Sequence, residues 1–356
     1  MTKTKKKSGR SITITALGIC MVGIVACLNY YYTFHYRNTV SSPPDGGVVK
    51  IYRSYSYYDL CNIMTSSGVL VSNKTFLRAA KHMDLCKDFK PGRYIFRQGM
   101  NNKAIIRTLS HGWQEPINLS FNGYTRSMSK FASILAGELE PDSARFAAAL
   151  TDRNLIDSLG FKPETFPAMF IPNTYQVYWT LTPEEFISRM HEEYENFWCG
   201  ERDEKAATIG MTREEVSTLA SIVIEETKYE PEMPTIAGVY INRLHKGMPL
   251  QADPTVKFAL AEDGLTRILN KHLGVDSPYN TYEHKGLPPG PITIPPISAI
   301  DAVLNYQHHN YLYFCAKATF DGQHSFSSTY AGHLENARAY HRSLNAREKE
   351  KQQASR

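Results

Sequence analysis

Two adjacent acids close the stretch Leu219-Ala-Ser-Ile-Val-Ile-Glu-Glu-Thr227, and they stand in different surroundings. Val216, Leu219, Ala220 and Val223 recur at i, i+3, i+4 and i+7, the pattern of an amphipathic helix with one buried face. At about 100° per residue, Glu226 falls beside Leu219 and Ile222 at the edge of that stripe, and Glu225 falls on the opposite face. A carboxyl on an apolar edge loses water, so its charged form is disfavoured and its pKa rises. Such an acid keeps its proton near neutral pH and can donate it to a leaving oxygen. Glu226 is the general-acid candidate and Glu225 a solvated surface charge. Periodicity alone leaves open that Glu226 pairs with an arginine or caps a backbone group instead.

The elements that must hold this acid carry their own signals. Thr212-x-x-Glu215 is a capping box that opens the helix. A second helix is announced by Pro234 and closed by Gly247, with Ile236, Val239, Tyr240 and Leu244 on one side. Three loops follow: Gln251-Ala-Asp253-Pro-Thr255, Tyr279-Asn280-Thr-Tyr282 and Gly286 to Ile292. They set amide, hydroxyl and aromatic groups on stiff backbone, as a sugar cleft requires. Ser298–Asn305 reads as a helix and Tyr311–Ala316 as a buried strand. Gln323–Phe326 could pair with that strand across Asp321-Gly322, and Ser328–Leu344 is a closing helix.

Upstream, Thr182-Pro183-Glu-Glu185 starts a helix that runs toward Trp198. Pro172-Asn173-Thr-Tyr175 reads as an irregular turn, either a rigid loop or a cleft border. Between Val48 and Gly112 the order is strand (Val48–Tyr52), helix capped at Ser56, helix capped at Asn73, strand (Arg93–Phe96) and helix capped at Asn101.

The formal net charge is +5, and Lys3, Lys5, Lys6, Lys7 and Arg10 account for all of it. The charge is therefore a topology signal, not the basic patch of a nucleic-acid binder. Ile12 to Leu28 carries no charge and is followed by Asn29 and three tyrosines, which fits a membrane span with an aromatic interface. The basic tail places the N-terminus in the cytoplasm and the body outside. Ile24-Val-Ala-Cys27 resembles the box before a lipoprotein cysteine, but the aromatic belt runs past Cys27, and we expect an uncleaved anchor. Cys61 and Cys86 lie in one small module and are either bridged or free. No Cys or His spacing calls for a metal.

The succession LASIV(x)EET, INRL(x)KGMPLQ(x)DPTV, SPYNTY, GLPPGPI, YLYF and G(x)H(x)F resembles the endolytic murein transglycosylases, the YceG-like family, over roughly residues 47 to 345. The unit at 47–115 is similar to a LysM module, a binder of amino-sugar chains. The resemblance, joined to the charge and hydropathy pattern, implies an α+β chain: a cytoplasmic tail (1–10), a transmembrane anchor (11–32), a linker (33–46), the LysM-like βααβ module (47–115) and a mixed α+β catalytic domain (116–345). The last residues (346–356) are charged and low in apolar content, and read as a disordered tail. The resemblance also implies a single-pass protein of a bacterial inner membrane with a periplasmic body, acting on peptidoglycan strands without a cofactor, beside penicillin-binding wall synthases.

In that family an LASIVEKET-like stretch carries the catalytic glutamate, and Glu226 matches the acid before its Thr. Ile224 stands at the first acid and Glu225 at the lysine, so no rival carboxylate occupies 224. Ile294 and Pro296 stand where relatives often have Asn and Gly. The implied reaction cleaves between MurNAc and GlcNAc and leaves a 1,6-anhydro end. Gln251, Asp253, Asn280, Tyr282 and His324 are the candidates for holding the sugars and orienting Glu226. Asp253 before Pro254 equally fits a turn, and His324 could instead bond a buried carbonyl. A non-catalytic glycan-binding scaffold and a muramidase with Asp253 as second carboxylate are the competing readings.

Overall fold

The computed structural model describes residues 5–261 and 268–354. It divides into two compact units, one of residues 1–118 with 176–181 and one of residues 119–175 with 182–356. The described strands form three two-stranded sheets, β1-β2, β3-β4 and β5-β6.

The first unit begins with α1 (Lys5–Phe34), whose Thr13–Phe34 stretch is long and apolar enough to cross a membrane. Ile14, Leu17, Val22 and Val25 stand exposed along it. β1 (Val48–Ile51) pairs antiparallel with β2 (Gly92–Ile95), Val48 opposite Ile95. Between them lie α2 (Tyr57–Ser66), α3 (Asn73–His82) and a single turn, α4 (Leu85–Asp88), which the sequence pattern did not announce; α5 (Asn102–His111) follows β2. Ile51, Leu60, Met64, Phe76, Tyr94, Phe96, Ile105 and Leu109 close one core. Ser56 forms the expected capping box with Asp59. The cap of α3 is Ser72, not Asn73: the Ser72 hydroxyl accepts from Thr75 N, and Asn73 is already helical. Cys61 and Cys86 are both free thiols.

The second unit is mostly helical. β3 (Ile117–Ser120) leads into it, followed by α6 (Met128–Glu138), α7 (Ser143–Leu150) and α8 (Arg153–Ser158). The segment read as an irregular turn at Pro172 runs into β4 (Thr174–Val177); Tyr175 is buried and donates to the Ile171 carbonyl, so this segment is scaffold. α9 (Pro183–Trp198) opens on its capping box, and α10 (Glu201–Thr208) follows.

The centre is α11 (Arg213–Glu226), opened by the Thr212–Glu215 capping box. It packs against α12 (Met233–His245), α13 (Asp253–Leu260) and α14 (Ile297–Leu304). Every residue from Val216 to Ile224 is buried, so the helix is core on all sides and not amphipathic. The spacing missed this because Ser217, Thr218 and Ser221 read as a polar face. All three are buried, and two make their bonds inside the helix: Thr218 Oγ1 donates to the Glu214 carbonyl and Ser221 Oγ to that of Thr218. Ser221 Oγ also accepts from Ile292 N, which ties the Gly286–Ile292 loop to the helix.

β5 (Tyr313–Ala316) and β6 (His324–Ser327) form the expected hairpin, Ala316 opposite His324, but their residues are half-buried, and Ala316 exposed, rather than buried. α15 (Tyr330–Ala354) runs on past Leu344, through most of the tail expected to be disordered. Ala, Arg, Glu, Lys and Gln are strong helix formers, so low apolar content did not prevent a helix there.

Gly238 lets α12 approach its neighbour closely. A Cβ on it would stand 2.4 Å from the Gln307 carbonyl oxygen and 2.8 Å from the His309 ring. Overpacking of this kind costs about 1–3 kcal/mol. Gly238→Ala should lower the chemical-denaturation midpoint accordingly, whereas Gly247→Ala, where a Cβ meets nothing, should cost only the strain of its positive φ.

Candidate active site

Glu226 is the last residue of α11. Its Oε1 accepts a 2.9 Å hydrogen bond from the hydroxyl of Tyr240, a fully buried residue in the middle of α12. Burial pushes the Glu226 carboxyl up from 4.5 to about 7, and the nearby Asp253 charge adds to the rise. The Tyr240 hydrogen bond, Lys257 and Arg243 pull the other way. The outcome is a carboxyl that is half protonated near neutral pH, which suits a group that must both give and take a proton. Tyr240 is itself held far above its ordinary value by burial and then by Glu226, so it stays a donor.

Asp253 is the first residue of α13, and its Oδ1 accepts a 2.6 Å bond from the Tyr282 hydroxyl. It is a helix-opening residue with a side-chain partner, not merely a turn former. Gln251 has φ 52° and donates its N–H to the Thr281 carbonyl, while its side chain stands exposed near Arg243. Thr281 Oγ1 accepts from Ala252 N and bonds Thr255 Oγ1, which locks the two candidate loops together.

Asn280 corrects the sequence expectation. It is fully buried and its amide donates to the Leu273 and Val275 carbonyls, while its Oδ1 accepts from Tyr282 N. It shapes the loop and places Tyr282, and no part of it is left to meet a sugar. His324 bonds a carboxylate, not a backbone carbonyl: its Nδ1 lies 2.7 Å from Glu232 Oε2, and its N–H donates to Glu232 Oε1. The Phe314 ring lies edge-on between the rings of Tyr240 and His324, with centroids 5.8 Å and 5.3 Å away. His324 thus reaches the acid only through packing.

Glu225 is also corrected. Its side chain is 11% exposed and its Oε2 lies 2.5 Å from Arg126 Nη2. It belongs to the wall of a cleft of about 1210 Å³, which Tyr124, Lys130, Lys228 and Phe258 also line. Glu226 turns to Tyr240 rather than lining that cleft.

Sequence reasoning missed Tyr240, Arg243 and Glu232 as parts of the site. Arg243 is buried and donates from Nε to the Leu312 carbonyl and from Nη1 to that of Leu250, so it fixes the start of the Gln251 loop against α12. One signal was available: a tyrosine in a buried stripe must find a partner for its hydroxyl. Among the described residues no group of three His, Cys, Asp or Glu stands close enough to hold a metal.

The model of the YceG-like family matches residues 49–339. Over 291 residues the chain is 29% identical to a protein of Bacillus subtilis (strain 168) named endolytic murein transglycosylase, covering 77% of this chain and 79% of that one. It is 26% identical over 292 residues to the protein of the same name from Streptococcus pneumoniae serotype 2, covering 72% of this chain but only 51% of that longer one. Among solved structures, a YceG-like protein of Listeria monocytogenes superposes with a TM-score of 0.54 at 28% identity, over 81% of this chain and 97% of the other.

Two outcomes follow from the electrostatics. A folded-state value raised above the unfolded one means the folded chain holds the extra proton, so stability falls as pH rises from 4.5 through about 7. Glu226→Gln should therefore raise unfolding stability at pH 8 by up to about 3 kcal/mol, an advantage that vanishes below pH 4. Tyr240→Phe removes a bond that favours the charged form, so the Glu226 titration should move above 7 in a pH–rate profile.

Proposed function

The chain belongs to the YceG-like family, and from that premise we propose that it cleaves murein strands internally between MurNAc and GlcNAc, with Glu226 as the sole acid and base. It is an enzyme, a lytic transglycosylase, like the relatives named for that activity. The observation that carries the residue assignment is geometric: the Glu226 carboxyl ends a helix buried from Val216 to Ile224 and takes a 2.9 Å hydrogen bond from the buried Tyr240 hydroxyl, a setting whose burial pushes it up to about 7.

Glu226 gives its proton to the glycosidic oxygen as the bond from that oxygen to C1 breaks. The sugar's own C6 hydroxyl then closes on C1, and its proton passes to the Glu226 carboxylate. The result is a 1,6-anhydro end, with no water consumed and the enzyme returned to its starting state. The nucleophile is tethered to the electrophile, so little orientational freedom has to be lost at the transition state. Asp253 supplies a fixed negative charge near the developing positive charge at C1 and, by repulsion, keeps the proton on Glu226. Its bond from Tyr282 holds it in place as that charge. Tyr240 steadies Glu226 in both protonation states, and Gln251 and Tyr282 face the sugars.

In this reading α1 anchors the chain in a membrane, with the body on the outer, periplasmic side. The unit built on β1 and β2 serves as a LysM-like glycan grip. Cleavage close to the membrane would end the growth of strands made by penicillin-binding synthases.

Glu226→Gln should lower cleavage of purified strands by at least about a hundredfold, the lower bound of acid–base contributions, while strand binding persists. Running the wild-type reaction in ¹⁸O-water separates the chemistries by mass spectrometry of the new ends. Anhydro ends free of the label are expected. Labelled reducing ends would make the protein a muramidase, and binding without any cleavage would leave a scaffold.

A further inference from the structure

The cleft beside α11 has no part in the proton transfers, yet its chemistry is specific. Arg126 reaches it from just before α6, Lys130 from the first turn of α6, and Lys228 from just beyond α11. Lys228 Nζ donates to the Ile224 carbonyl and sits 4.0 Å from the centre of the Tyr124 ring, which fixes its charge at the wall. Even leaving Lys257 aside, three cations face one acid among the described lining residues, and that acid, Glu225, is already bonded to Arg126. Ser127, Ser129 and Ser133 add hydroxyls between them. The described lining residues therefore carry a net positive charge, hydroxyl donors and aromatic edges, bordering a space of about 1210 Å³.

A neutral sugar has no use for these cations. The charged parts of murein are the carboxylates of the short peptides borne on its MurNAc residues. The cleft adjoins the proposed acid in sequence and on two elements: Glu225 precedes Glu226 on α11, and Lys257 follows Asp253 one turn along α13. A substituent of the sugar being cut would be the group delivered there. Its volume exceeds that of a lone lactyl carboxylate and suits several residues of peptide. We propose that this cleft receives the peptide carried by the MurNAc at the scissile bond and pairs its carboxylates with Lys130, Lys228 and Arg126. The proposal rests on the transglycosylase reading, and it makes peptide-bearing strands the preferred substrate.

The test uses the full-length protein in detergent as Glu226→Gln, so that strands bind uncut. Three probes are compared: strands with intact peptides, strands with the peptide carboxylates amidated, and strands stripped of peptide. Intact strands should bind about tenfold tighter than either of the others, the order expected for one charge pair, with a preference that shrinks as salt rises. Adding Lys130→Gln and Lys228→Gln should reduce that preference to near one; both side chains are on the surface, and a circular-dichroism melt checks the fold. Equal binding of intact and amidated strands would overturn the assignment. So would competition by inorganic diphosphate at concentrations where the free peptide has no effect, which would give the cleft to the phosphates of a lipid carrier. Cleavage by the wild type without charge preference would remove the cleft alone. Charge-dependent binding without wild-type cleavage would support the cleft and remove only the transglycosylase mechanism.

Discussion

The site depends on one dehydrated helix. α11 is enclosed from Val216 to Ile224, and Glu226 comes at its last turn, where the enclosure begins to open. Burial raises the carboxyl, and the hydrogen bond from the neutral Tyr240 hydroxyl, helped by the more distant charges of Lys257 and Arg243, offsets part of that cost. A cation in place of that phenol would hold the carboxylate permanently charged, and an aliphatic side chain would leave its charged form without a partner. A phenol with a value far above neutrality bonds both forms of the acid. The rest of the unit can be read as support for that pairing. α12 is pinned through Gly238 and Asn242 to the segment around His309, Arg243 anchors the Gln251 loop, and Ser221 ties the Gly286–Ile292 loop to the acid's own helix.

Two adjacent glutamates have been given opposite work by rotation of about 100° around one helix axis. Glu226 meets a phenol and keeps its proton near neutrality; Glu225 meets an arginine at the cleft wall. This division separates the proposed reacting centre from a cation-lined cleft while leaving the two close along the chain. It offers a physical route by which a charge on the substrate, remote from the bond being cut, could help position that bond.

How much of this was legible in the sequence varied with the range of the interaction. Local signals held: the capping boxes at Ser56, Thr182 and Thr212 form as written, and the hairpin of β5 and β6 pairs. They failed where two local solutions compete, as at Ser72 and Asn73, both good caps. The wheel found the side of the helix on which Glu226 lies, yet misjudged the burial of the other faces, because serine and threonine can bond the preceding turn and enter a core. Partners distant in sequence were out of reach. Nothing near Asn280 reveals that its amide holds the carbonyls of Leu273 and Val275, and nothing near His324 points to Glu232. The motif order along the chain did identify the family, because that order carries the long-range information which periodicity lacks.

The central claim is that one carboxyl holds its proton near neutral pH and releases it there. Infrared difference spectra, wild type minus Glu226→Gln, follow the protonated carboxyl stretch of this one residue as pH is raised. The account predicts a band present at pH 5 and lost with a midpoint near 7. A band already gone by pH 5, as for an ordinary solvated glutamate, would contradict it.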